Sequence, residues 1–196
     1  MTYQVYKTEG IVLASREAGE ADRIFSIYAK DFGRLEITAL GVRHLKSKLR
    51  YSLNVFSRVQ IAFIRTNEFL RLVDAKKLDN GFLDFTEPAK FLSLSGLAGL
   101  VGRMVKGEEA DPGLWQELKS AFAFLGKNNL GEKDLEIFQL LISLRILYRL
   151  GYVMERKEFL LFFAEKLALR PILEQARRQK KLIILSIENA FEQSHL

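Results

Sequence analysis

Cysteine is absent from the 196 residues, which excludes disulfides, thiolate-bound zinc, iron–sulfur clusters and a cysteine nucleophile. Histidine occurs only at His44 and His195, neither with a metal-ligating neighbour at helical or hairpin spacing. No metal and no cofactor are therefore expected. Apolar runs are short, as in Leu182-Ile183-Ile184-Leu185, so no segment is expected to span a membrane. The start, Met1-Thr2-Tyr3-Gln4-Val5-Tyr6, lacks the basic beginning and long apolar run of a signal peptide. With no cysteine to protect, this agrees with a cytoplasmic protein. Phosphate-cradling loops are missing as well. Gly96, Gly99 and Gly102 fall inside a predicted helix, with no preceding strand and no Lys-Ser/Thr ending; close helix packing explains them better. There is no serine nucleophile elbow. The carboxylate pairs Glu108-Glu109 and Glu20 with Asp22 read as surface turns. An enzyme is not expected.

What the chain does have is apolar material and positive charge. Hydrophobic residues make up 48% and charged residues 28%, enough to offset the entropy of folding without staples. Alternation of apolar and polar residues predicts strands over Lys7–Ala14, Arg23–Ala29, Leu35–Ala39, Arg58–Arg65 and Phe69–Ala75. Five short strands suggest a small barrel, of either OB or SH3-like type. After Asp79-Asn80-Gly81 the pattern becomes helical. Thr86 is placed to cap a helix running from Glu87-Pro88 to Gly107, and Asp111-Pro112 to start one ending at Gly126. A third helix, Glu132 to Leu150, is polar only along Glu132, Glu136, Gln139 and Ser143, which predicts a central position in a bundle. Helices over Lys157–Leu169, interrupted at Pro171, and over Lys181–Gln193 complete the chain. The expected fold class is α+β: a five-stranded barrel domain at 1–79, then an all-α helical domain at 80–196, without internal repeat.

The formal net charge is +6, which favours an acidic partner. Its distribution is more telling. Ile37 to Asn67 holds Arg43, Lys46, Lys48, Arg50, Arg58 and Arg65 and no Asp or Glu. Cations beside Tyr51 and Phe56 suit single-stranded nucleic acid, where phosphates meet charge and unstacked bases meet rings; Phe56 itself reads as core. A second cluster, Arg170, Arg177, Arg178, Lys180 and Lys181, is relieved only by Glu174. It reads first as a solvated turn and second as another DNA or partner contact. Arg145 and Arg149 lie on the mostly apolar third helix. There an arginine must find a carboxylate or the surface, with capture of a partner's terminal carboxylate as the alternative.

The residues also carry a resemblance. Lys7-Thr8-Glu9-Gly10-Ile11-Val12-Leu13, Gly19-Glu20-Ala21-Asp22-Arg23-Ile24, Gly33, Gly41-Val42-Arg43, Lys46-Ser47-Lys48-Leu49, Leu53 and Phe56 resemble the opening of RecO proteins in order and spacing. Leu147-Tyr148-Arg149-Leu150-Gly151-Tyr152 matches them more loosely. The resemblance implies an OB-fold domain followed by a helical domain. It also implies binding of single- and double-stranded DNA, strand annealing, and work with single-strand-binding protein and RecR to load RecA. It puts the DNA-binding surface on the OB domain, which places Arg43, Lys46, Lys48 and Arg50 on it. The phosphate path expected from these residues is extended by Arg34 and Arg16. Many RecO proteins carry a cysteine zinc motif after the Leu-Gly-Tyr region; here Val153-Met154-Glu155-Arg156-Lys157 has none, so a zinc-free helical domain is expected. The rival readings are an RNA-binding OB-fold protein and a helical protein–protein interaction module.

Overall fold

The alternating segments pair into a barrel because each has one apolar face and no other way to bury it. In the computed structural model, which describes residues 3–78, 87–164 and 169–194, the strands are β1 (Val5–Ala18), β2 (Asp22–Ala29), β3 (Gly33–Ala39), β4 (Arg58–Arg65) and β5 (Leu70–Lys77). They close in the order β1-β2-β3-β5-β4. β3 runs parallel to β5 while the other pairs are antiparallel. Bonding of β3 to β5 rather than to β4 is the OB arrangement, and it decides between the two barrel types left open by periodicity.

Val12, Phe25, Ile27, Leu35, Ile37 and Phe63 fill the barrel. Tyr6, Phe32 and Phe63 pack together where β1 begins, their ring centroids 5.3–5.8 Å apart. Loop residues Val42 and Leu53 join the same core, so the connection from β3 to β4 plugs the barrel. Phe56 is core as expected, only 2% exposed. It takes a φ of 64°, an unusual backbone conformation for a bulky residue, while its N–H donates to the Val12 carbonyl at 2.7 Å.

The described chain divides into two compact units, Met1–Asp84 with Val105–Trp115, and Phe85–Met104 with Gln116–Leu196. The first helix, α1 (Pro88–Met104), ends three residues before the expected Gly107. The reason is that the chain from Val105 belongs to the barrel unit, where the Arg34 guanidinium donates to the Val105 carbonyl at 3.3 Å. Gly33, in the β2–β3 turn at φ 68°, lies so close that an added Cβ would overlap the Glu109 backbone. Tyr28, facing out of the barrel, is fully buried and donates from its hydroxyl to the Asp111 carbonyl at 3.4 Å.

In the second unit the helices are α1, α2 (Pro112–Lys127, whose first residues group with the barrel), α3 (Glu132–Arg149), α4 (Leu169–Arg178) and α5 (Lys180–Gln193). Asp111 caps α2, its Oδ1 accepting from the Gly113 and Leu114 N–H groups at 2.8 and 2.9 Å. α3 packs against α1, α4 and α5, the central position its apolar surface predicts. Two expectations change. Lys157–Phe163 is a 3-10 helix, not an α-helix. Three residues per turn bring Phe159 and Phe162 onto one side, where both are buried. Pro171 sits in the first turn of α4 rather than breaking a helix, because its missing N–H has no helical partner there anyway. Of the three glycines on α1, close packing accounts for Gly96, where a Cβ would strike the Gln139 side chain; Gly99 and Gly102 face open space. Thr86 and His195 lie outside the described residues. No described helix is long and apolar enough to cross a membrane.

Candidate nucleic-acid interface

The β1–β2 register sorts the cations onto two faces. Glu17 pairs with Arg23 and Arg16 with Ile24. Neighbouring strand residues point oppositely, so Glu17 and Arg23 share the side of core residue Phe25, while Arg16 and Ile24 point outward. The six barrel residues expected from sequence thereby separate into two groups.

The first group surrounds a cleft of about 430 Å³ at the plugged end of the barrel, lined by Glu17, Arg23, Phe25, Val42, Arg43, Arg50, Leu53 and Asn54. The loop is held there locally. The Gly41 N–H donates to Asp22 Oδ1 at 2.7 Å, and the Arg43 N–H to the Ala21 carbonyl at 2.9 Å. Lys48–Tyr51 forms a 3-10 turn, so the cations follow neither the strand nor the α-helix spacing considered from sequence. Val42, Leu49 and Leu53 turn toward the core, leaving Arg43, Lys46, Lys48 and Arg50 exposed. The Arg43 guanidinium meets Glu17 at 3.2 Å and the Gly19 carbonyl at 3.4 Å. Among the described residues, the side chains of Lys46, Lys48 and Arg50 have no hydrogen bond or ion pair. Tyr51, in the same turn, is 73% exposed. Arg23 is the residue that sequence reasoning missed. Its signal was present in the Gly19–Ile24 motif, but only strand register shows that it faces Arg43 and Arg50.

The second group lies on the outer face of β1, β2 and β3. A groove of about 660 Å³ there is lined by Arg16, Ile24, Arg34, Glu36, Thr38, Arg65, the β4–β5 turn at 66–69, and Glu108. Oligonucleotides bind OB folds on this face and at these turns. Arg16 is exposed and has no side-chain partner among the described residues. Arg34 is engaged, donating to Ser26 Oγ, the Val105 carbonyl and Glu36 Oε1 at 3.1–3.3 Å. Arg65 pairs with Glu108 and lies over the Tyr6 ring. The hydrogen bond that it donates to Glu108 raises its pKa above the usual guanidinium value.

The helical cations differ. Arg145 is buried, donating from Nε and Nη2 to Glu117 at 2.5 and 2.6 Å and from Nη1 to the carbonyls of Phe162 and Ala164. That is the structural ion pair. These bonds hold the Arg145 guanidinium in the interior, away from any partner's carboxylate. Arg149 lies 3.7 Å from the same Glu117. Arg177 pairs with Asp134 and Glu174, and Lys180 with Glu136, so two of the five cations in the second cluster are neutralised. Arg178 and Lys181 are exposed. Arg170 belongs to α4, with its side chain outside the described residues.

Comparison with known proteins agrees with an N-terminal barrel domain. Residues 1–80 match the family model described as Recombination protein O N terminal. The DNA repair protein RecO of Streptomyces griseus is 42% identical over 59 residues, covering 30% of this chain and 24% of that protein. Those of Rubrobacter xylanophilus and Syntrophobacter fumaroxidans are 30% and 27% identical, over 76% and 75% of this chain. The matches cover 58% and 57% of those two proteins, so the chain spans less than two thirds of the length of the relatives it matches. The barrel at residues 1–80 thus matches the N-terminal domain of the RecO family, and the chain is similar to DNA repair proteins RecO over about three quarters of its length.

Proposed function

We propose that this protein binds DNA without catalytic turnover and serves DNA repair. In this reading it anneals single strands and acts with single-strand-binding protein and RecR to help load RecA. The observation that carries the proposal is the β3–β4 loop. It buries Val42 and Leu53 in the barrel while presenting Lys46, Lys48 and Arg50, unpaired among the described residues, beside the exposed ring of Tyr51. Such a surface holds phosphates by charge and offers a ring to an unstacked base. Arg43 joins it at the cleft, and Arg16 extends it onto the outer face. Arg34 contributes by fixing Val105 against the barrel, since its donors are engaged there. Arg178 and Lys181 remain for a second contact. The names of the matched relatives support DNA repair as the setting.

The test is fluorescence anisotropy of a labelled single-stranded DNA across a salt series, with the Arg43/Lys46/Lys48/Arg50→Ala variant alongside. Four neutralised phosphates give a log–log salt slope of about −2.8 for a single strand, and the variant should lose most of it. Equal binding by both folded proteins would refute the site. Preference for RNA of the same sequence would favour an RNA-binding role, because only RNA carries the 2′-hydroxyl.

A further inference from the structure

The cleft at the plugged end of the barrel contains an unfinished anion site. Arg23, Arg43 and Arg50 converge on it, and Glu17 is the one acid in its lining. Glu17 sits between two of the arginines, Oε1 3.6 Å from Arg23 Nη2 and Oε2 3.2 Å from Arg43 Nη1. One carboxylate cannot satisfy three guanidinium groups. Arg50 has no side-chain partner among the described residues, and the buried Arg23 Nε has no hydrogen-bond acceptor. A buried N–H without an acceptor is uncommon in a folded protein and needs an explanation. The nearby Asp22 is already committed to the Gly41 N–H, and among the described residues no second acid lines the cleft.

The geometry points to a phosphate-binding site in which Glu17 is a placeholder: a nucleic-acid phosphate displaces the Glu17 carboxylate and takes the guanidinium groups of Arg23, Arg43 and Arg50. Carboxylate and phosphate both accept paired hydrogen bonds from a guanidinium, so one can replace the other without rebuilding the site. The Glu17 side chain is 57% exposed and lies near the tip of the β1–β2 hairpin, so it can swing into water. Exposed ion pairs of this kind are weak. An internal phosphodiester matches the single charge and paired oxygens of the carboxylate and gains from the counterions released from the nucleic acid, while a terminal phosphate adds a further charge and a third oxygen. The apolar floor of Phe25, Val42 and Leu53 keeps the three cations at the rim. Glu17 thus sets a threshold: it holds two of the arginines in the free protein and weakens binding of any anion that must displace it.

This inference rests on the proposed DNA binding, and the experiment separates the two. Salt-dependent anisotropy is measured on labelled oligothymidylate, with a 5′-phosphate or a 5′-hydroxyl, for wild type, Glu17→Gln, Arg23→Ala, Glu20→Gln and Lys46/Lys48→Ala. Circular dichroism checks folding. Glu20 is an exposed acid in the same hairpin turn, outside the cleft, and reports the generic effect of removing a negative charge. The placeholder role requires Glu17→Gln to bind roughly two- to fivefold more tightly at low salt, the range of one exposed ion pair, and clearly more tightly than Glu20→Gln. Arg23→Ala should bind more weakly, with a salt slope shallower by about 0.7. In the Glu17→Gln/Arg23→Ala double variant most of the gain should vanish. A gain confined to the 5′-phosphorylated strand assigns the site to chain ends; a gain on both assigns it to internal phosphates. If Glu17→Gln matches Glu20→Gln and Arg23→Ala matches wild type while Lys46/Lys48→Ala weakens binding, the cleft is not a phosphate site and the DNA-binding reading stands. If wild type shows no salt-dependent binding, both are overturned.

Discussion

Replacing Glu117 tests the interior of the helical unit most directly. Its carboxylate accepts from Arg145 Nε and Nη2 at 2.5 and 2.6 Å, and the two side chains are only 6% and 5% exposed. Hydrogen bonds to charged groups contribute roughly 1.5–3 kcal/mol each. Glu117→Ala removes two and leaves the guanidinium with the carbonyls of Phe162 and Ala164 alone. Breaking one side of a buried pair costs about 3–5 kcal/mol, a large share of the roughly 5–15 kcal/mol that keeps a domain folded. Arg145→Met should cost less, because Glu117 retains Arg149 at 3.7 Å. The double change Glu117→Leu/Arg145→Met should cost less than the sum of the singles, since neither charge is then stranded. Urea denaturation followed by far-UV circular dichroism gives the three values from midpoints at constant slope. If the Glu117→Ala protein is too unstable to measure, Glu117→Gln keeps one acceptor oxygen and should fall between it and wild type. A loss under about 1 kcal/mol for Glu117→Ala, at unchanged slope, would mean that Arg145 reaches water in solution and would refute the reasoning.

Two further outcomes follow from the barrel unit. Gly33→Ala should destabilise it by more than the roughly 1–2 kcal/mol of a left-handed backbone alone, because the new Cβ also meets the Glu109 backbone; thermal melts that match wild type would show that Val105–Trp115 leaves the barrel in solution. Burial, with Asp111 nearby, pushes the Tyr28 hydroxyl up to about 12 from an ordinary 10.0. The folded state then holds a proton that the unfolded state gives up above pH 10, so this contribution is present below pH 10 and is lost as pH rises toward 12. Tyr28→Phe should flatten that part of the stability profile, and an unchanged alkaline profile would count against the burial.

The parts of the fold that were legible in the sequence are those decided by short-range patterns. Alternation in Arg58–Arg65 marks a strand because side chains on neighbouring residues face opposite ways. Asp111-Pro112 marks a helix start because cap and ring act within one turn. α3 betrays its central place by having too little polar surface to face water. The 3-10 helix at Lys157–Phe163 was not legible, since the spacing of Phe159 and Phe162 fits either helix type until their burial is known.

The functional surface divides in the same way. Sequence alone determined that the β3–β4 loop carries cations without acids, that Phe56 belongs to the core, and that the opening resembles RecO. It could not determine which cations are available, because availability depends on partners far along the chain. Arg34 looked equivalent to Arg16, yet it is engaged by the Val105 carbonyl, a residue after the first helix. Arg145 found Glu117 on another helix. Arg23 gained its place beside Arg43 and Arg50 only through β1–β2 register and the closure of the loop over the barrel. Charge is a property of composition. Whether a charge is free to meet a phosphate is decided by what the tertiary structure has already placed against it.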